Sequence, residues 1–266
     1  LTRDVPVCTG ARDGTCLTYA QKTVLANVHS GARNSSGAAV YTSFPYDAGI
    51  NGTSGSGWRA WKFGNSLTRD PGAVAFIFST PPVPNPGTFN DLAYAFNFNM
   101  DLDAPKIFAT NGTYTVAPMT FMTPPEPTNL STLKNRGAKL IVYHGTSDPI
   151  FSYDDTASWY EGLRAANGGD ASSFARLFPV PGMNHCSGGP AADQFDMVDA
   201  IVKWVEQGAA PETVIATARG AGAVSVNTEV PSGWSANRTR PLCAYPKVPR
   251  YNGTGNMELA SSFTCR

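Results

Sequence analysis

The chain has 266 residues, a formal net charge of zero, and only 15% charged residues. That balance speaks against nucleic acid and against an anionic membrane surface as partners, since both call for a basic field. No apolar run approaches the roughly 18 residues of a membrane span, and the first residues carry no signal-peptide core, so a secreted form would be already processed. Gly and Pro together make 47 residues, which predicts much turn and loop around a few regular elements. Cys8 and Cys16 lie in a turn-rich opening segment at a spacing that suits a local disulfide. Residues 17–30 read as a helix: Thr18 with Gln21 is a capping-box pattern, and Leu17, Val24, Leu25 and Val28 form an apolar stripe closed by Gly31. His29 sits at the end of that helix, where a cation suits the dipole.

From residue 40 to 125 the pattern is irregular. It offers a short strand at 40–44, a Gly/Ser loop at 51–57 and Pro-rich stretches at 81–86 and 124–127. Residues 1–127 therefore read as part of a cap or lid rather than a layered core. Their aromatic side chains, Trp58, Trp61 and Phe63, then Phe89, Tyr94, Phe96 and Phe98, are either core packing or a surface for a planar ring, with Arg59 or Arg69 at hand for an acidic group.

After Pro127 the chain changes character. Residues 139–145 (KLIVYHG) form a compact apolar run ending in Gly, as a buried parallel strand does. A helix follows at 154–166, with acids in its first turn and Trp159 and Leu163 on one face. A second strand at 174–180 leads into a Gly/Pro/Asn loop, and residues 193–206 predict an amphipathic helix with Phe195, Val198, Ile201, Val202 and Val205 inward. This order is that of the C-terminal end of a doubly wound α/β sheet, yet two strands are too few for a whole sheet. The tail holds Cys243 and Cys265, again at a spacing that suits a local disulfide. Metal binding competes for the cysteines, but no CxxC or Cys/His cluster supports it. Six Asn-x-Ser/Thr sequons, at Asn34, Asn51, Asn111, Asn129, Asn237 and Asn252, agree with secretion. Cys186 is left without a mate.

Two residues carry the chemistry. Asp148, in Gly-Thr-Ser-Asp-Pro, follows the first parallel strand, where open α/β sheets place catalytic groups; by itself it reads more readily as a turn aspartate before proline. His185, in Pro-Gly-Met-Asn-His-Cys-Ser-Gly-Gly, follows the second strand. Strand–acid, helix, strand–histidine, helix lets a carboxylate hold the far nitrogen of an imidazole that works as general base. His144 reads as a strand-end imidazole bonded to local backbone. No nucleophile is evident. There is no G-x-S-x-G elbow, Ser54 and Ser56 lack a strained strand-to-helix turn, and Ser147, Ser187 and Cys186 are poorly placed beside the acid or base.

The segments around Asp148 and His185-Cys186, with Phe44-Pro45-Tyr46-Asp47-Ala48-Gly49, Trp159-Tyr160 and Arg240-Pro241-Leu242-Cys243, resemble the tannase/feruloyl esterase family, which also contains a hydrolase of mono(hydroxyethyl) terephthalate. The resemblance implies an α/β-hydrolase with an inserted lid, residues 1–127 giving part of the lid and 128–266 the C-terminal part of the core. It implies a secreted (extracellular or periplasmic) serine esterase for esters of aromatic acids, with Asp148 as triad acid and His185 as base. Trp58, Trp61, Phe96 and Arg69 become candidates for substrate contact. Cys8–Cys16 and Cys243–Cys265 match family disulfides, and Cys186 pairs with a cysteine beside the nucleophilic serine. That serine and the acidic loop for a structural calcium would lie outside this chain, on a companion chain or an N-terminal segment, without which the piece is inactive. The competing reading is a non-catalytic binding or lid module with triad remnants.

Overall fold

The computed structural model describes every residue except Thr2, Arg12, Thr53, Ser54, Ser56 and Pro86. Ser54 and Ser56, weighed above as nucleophiles, and Pro86 of the proline-rich stretch thus lie outside the described residues.

Among the described residues, the first 127 form no strand, only isolated bridges such as Val7–Leu17 and Arg33–Ala39. Helix α1, Tyr19–His29, starts on the anticipated capping box, with Thr18 and Gln21 exchanging hydrogen bonds of 3.2 and 3.0 Å. Its apolar stripe is not its buried face: Val24 is exposed, and the buried residues are Lys22 and His29. Residues 40–44 are not a strand either, because Ala39 makes a single bridge and the chain then turns inward to bury Phe44. Short helices follow, of which α2, Asp70–Phe76, and α3, Asp91–Asn97, are joined by contacts among Phe76, Phe89 and Tyr94.

The second half is layered. Strand β1, Leu140–Gly145, pairs in parallel with β2, Ala175–Val180, with Leu140 opposite Ala175 and Gly145 opposite Val180. The crossover is helix α4, Tyr153–Ala166, capped by Ser152 and carrying Asp154 and Asp155 in its first turn. Leu140, Val142, Ala175 and Leu177 point to one face and pack with Tyr160, Leu163 and Trp159. Phe178 and Val180 point to the other, where they meet helix α5, Met197–Gln207, through Met197 and Ala200. A helix on each face of a parallel pair is the doubly wound arrangement.

Helix α5 departs from its sequence reading. It begins at Met197 rather than 193, because Asp196 caps it, its side chain accepting from Asp199 N at 2.8 Å. Its buried positions are Met197, Ala200 and Trp204, whereas Val198, Val202 and Val205 are exposed at 72%, 41% and 60%. The helix thus carries two apolar stripes, and the sheet takes the one with Trp204. Tyr143 on β1 is exposed as well, and among the described residues β1 pairs with β2 alone.

The tail holds more strand than the sequence suggested. Strand β3, Thr213–Thr217, pairs antiparallel with β4, Thr239–Cys243; β5, Pro249–Tyr251, pairs with β6, Phe263–Cys265. Just beyond β4, Tyr245 N donates to Leu177 O of β2 at 2.8 Å. Both anticipated local disulfides are formed, Cys8–Cys16 and Cys243–Cys265, the second tying β4 to β6.

Candidate active site

Parallel pairing of β1 and β2 brings the two strand ends side by side, and with them the loops carrying Asp148 and His185. The approach is close enough to restrict the residue at the end of β1. A Cβ on Gly145 would stand 2.7 Å from Asn184 O and nearer still to Met183 O. Gly145→Ala is therefore expected to destabilise the fold by about 2 kcal/mol, the usual cost of overpacking, read from the urea midpoint at unchanged m-value. A midpoint equal to wild type would show that the two loops can part freely.

His185 Nδ1 donates to Asp148 Oδ2 at 2.8 Å across a sequence separation of 37. The acid is almost wholly buried, at 4% exposure, while the His185 ring is partly open. Oδ1 of Asp148 accepts from the backbone N–H groups of Ile150 and Phe151 at 2.8 and 3.1 Å. The turn reading and the catalytic reading of Asp148 thus hold together, one on each oxygen. Burial alone would raise the carboxyl's pKa; hydrogen bonds from His144, His185 and Ile150 N outweigh it and leave it below the usual carboxylate value. With Nδ1 committed to the acid, His185 Nε2 has no hydrogen-bond partner among the described residues. That is the atom a general base uses.

His144 corrects its sequence reading. Its ring bonds side chains, not backbone: Nε2 to Asp148 Oδ2 at 3.3 Å and Nδ1 to Thr156 Oγ1 at 2.8 Å. His29 also differs from the helix-dipole role expected of it. It is buried, bonds Phe44 O through Nδ1, and stacks between Tyr46 and Trp58 at centroid distances of 3.9 and 4.7 Å. Burial lowers its pKa and disfavours a charge there.

The aromatic candidates separate. Trp58 is 2% exposed, and its indole N–H donates to Ser147 O at 2.8 Å, so it holds the acid loop from beneath rather than offering a substrate surface. Trp61 stands at the site, its ring 6.1 Å from that of His185, with the Arg69 guanidinium 4.8 Å from the Trp61 centroid. Phe96 is 74% exposed on α3 and makes no ring contact among the described residues. Phe151, which sequence reasoning passed over, is exposed with its ring 5.7 Å from His185. Its position three residues after the acid was the available signal.

Asp47 was also missed as a working residue. Its carboxylate accepts from Thr146 Oγ1 at 2.7 Å, Ser147 Oγ at 2.5 Å and Gly182 N at 2.9 Å, so one side chain of the first half grips both strand-end loops. From the far side Asp193 accepts from Gly188 N at 2.8 Å and pairs with Arg219 at 2.6 Å, while Glu229 accepts from Gly189 N at 2.9 Å. Cys186 is an exposed free thiol held at φ 64°, outside the usual range for a non-glycine residue. Among the described residues no group of three or more His, Cys, Asp or Glu side chains comes together as a metal would need.

With this geometry in view, comparison with known proteins is direct. A family model described as "Tannase and feruloyl esterase" matches residues 3–266. The chain is 42% identical over 272 residues to mono(2-hydroxyethyl) terephthalate hydrolase of Piscinibacter sakaiensis, covering 97% of this chain and 43% of that relative. It is 38% identical over 141 residues to a probable feruloyl esterase of Arthroderma benhamiae, covering 52% of this chain and 24% of the relative. Feruloyl esterase B from Aspergillus oryzae superposes with a TM-score of 0.64 at 24% identity, over 99% of this chain and 50% of that structure. The chain spans about half the length, or less, of these relatives, and its fold is of the α/β-hydrolase kind.

Proposed function

The chain belongs to the tannase and feruloyl esterase family, and from that premise we propose that it supplies the acid and the base of a secreted serine carboxylesterase acting on esters of aromatic acids. One observation carries this reading: His185 is oriented by a buried carboxylate through Nδ1 while Nε2 stays open. In this role Nε2 takes the proton of a serine hydroxyl as its oxygen attacks the ester carbonyl. Asp148 stabilises the imidazolium so formed, and Nε2 then returns the proton to the departing alcohol; water repeats the cycle on the acyl-enzyme. Residues 1–127 act as part of a lid over residues 128–266, the C-terminal part of the hydrolase core. Trp61 and Phe151 flank the acyl ring, and Arg69 is available to an acidic substituent on it.

The serine comes from sequence outside this chain. Support comes from the open Nε2 and from Cys186, whose exposed thiol adjoins the base. A disulfide from Cys186 to a cysteine next to that serine would fix nucleophile and base at bonding distance. Mass measurement of the native protein without reductant tests this. The expected result is a species heavier than 28.2 kDa that releases the 28.2 kDa chain on reduction. A 28.2 kDa species with a titratable Cys186 thiol and no associated polypeptide would overturn it. Hydrolysis of methyl gallate, methyl ferulate and the terephthalate half-ester by the assembled protein then identifies the acyl group.

A further inference from the structure

We propose that His144 is a positioning residue of the triad, a second imidazole that fixes the shared oxygen of Asp148 and competes with His185 for its charge. The inference rests on the assignment of Asp148 and His185 as acid and base, and concerns a residue that this assignment leaves unused.

The hydrogen-bond network determines which proton sits where. Oδ2 of Asp148 faces two ring nitrogens, His185 Nδ1 at 2.8 Å and His144 Nε2 at 3.3 Å. A carboxylate oxygen only accepts, so both nitrogens present N–H groups to it. Neutral His144 then has an acceptor at Nδ1, and the Thr156 hydroxyl 2.8 Å away donates to it. Thr156 lies on α4, so the crossover helix, β1 and the acid loop are joined in one chain of hydrogen bonds. With Ile150 and Phe151 N–H on Oδ1, all four donors around the carboxylate are accounted for, and it cannot rotate away from His185.

The same arrangement links the two imidazoles electrically. A proton added to either ring is stabilised by Asp148, and it then repels a second proton on the other ring. While His144 donates to Oδ2, part of the carboxylate's charge is spent on it rather than on His185. The other titratable groups bearing on the pair are Tyr153 on α4, its ring 6.2 Å from that of His144, Asp155 on α4, Tyr41 and Lys62 from the first half, Asp47 on the facing loop, and the thiol of Cys186. Burial pushes the two phenols up and brings Lys62 down to about 8, so none of these three changes charge in the acid range.

The test uses the protein as isolated, with its three histidines followed by NMR through a pH titration. In wild type His144 and His185 titrate as a coupled pair, and His185→Ala moves His144 upward. His144→Phe removes both donor and competitor and raises the His185 midpoint by about one pH unit, a tenfold change in proton affinity. His144→Gln, whose amide N–H can still reach Oδ2, gives less than half that shift. Thr156→Val, which leaves the imidazole in place but frees its tautomer, shifts the midpoint in the same direction by a smaller amount and serves where His144→Phe does not fold. The inference is overturned if the His185 midpoint stays put in the folded variants, or if His144 ignores His185→Ala. In the assembled enzyme the acidic limb of kcat/KM follows the same shift. If the midpoint moves while no ester is turned over, the catalytic assignment fails and the coupling stands.

Discussion

His185→Ala is expected to lower kcat of the proposed assembled esterase by about 10⁶-fold, and Asp148→Asn by about 10⁴-fold, with KM little changed. The two losses differ because the residues act at different removes from the reacting atoms. Without His185 no group accepts the serine proton, since its Nε2 is the open nitrogen at the site. In Asp148→Asn the amide can still accept Ile150 and Phe151 N–H through its oxygen, so the turn persists. Its NH₂ group then faces His185 Nδ1, which must become an acceptor and move its proton to Nε2. The base is thereby blocked by its own tautomer while the loop stays in place. Steady-state kinetics on the assembled protein, with circular dichroism confirming the fold, checks both variants. Activity within tenfold of wild type for His185→Ala would remove this residue from the mechanism.

The second large effect is on stability. Asp193→Ala is expected to cost about 3–5 kcal/mol, because it strips the partner from a buried ion pair rather than removing the pair. The Asp193 side chain has 0% exposure and takes three donors: Arg219 Nε at 3.0 Å, Arg219 Nη2 at 2.6 Å and Gly188 N at 2.8 Å. Alanine leaves a mostly buried guanidinium without its carboxylate, with only Ser225 to bond among the described residues, and strips the partner from the Gly188 N–H, two residues beyond Cys186 in the loop that aims His185. Replacing both partners, Asp193→Leu with Arg219→Met, should recover much of the loss. Urea unfolding of the single and double variants measures this. A single variant within 1 kcal/mol of wild type would mean that the pair is not what holds the loop.

The layered part of the molecule was legible because each of its elements has one dominant signal. The runs in 139–145 and 174–180 are parallel strands as expected, the second buried and the first only partly so, and acid and histidine followed from where such strands end. Helix α5 was misread because amphipathicity says that a helix has an apolar side, not which apolar side the sheet takes; Met197, Ala200 and Trp204 form a second stripe at equally good spacing. Strand β4 was hidden by Pro241, which removes a ladder donor and argues against a strand, and β3 by its shortness, although Val214 and Ala216 alternate inward as a strand requires. The supports of the site were the least legible. Asp47 grips Thr146 and Ser147 from about a hundred residues away, and nothing local in a Tyr-Asp-Ala-Gly turn announces such a contact. His144 was in view, yet its meaning depended on a rotamer.

That long-range grip has a consequence in chain entropy. The unit from β1 through α4 to β2 closes within some forty contiguous residues, a short loop by the standards of chain entropy. The bonds from Asp47 to Thr146 and Ser147 close loops of 99 and 100 residues and need the first half already shaped around Phe44 and Trp58. Acid and histidine are thus brought together by contacts close in sequence, while the bonds that hold their loops span much of the chain.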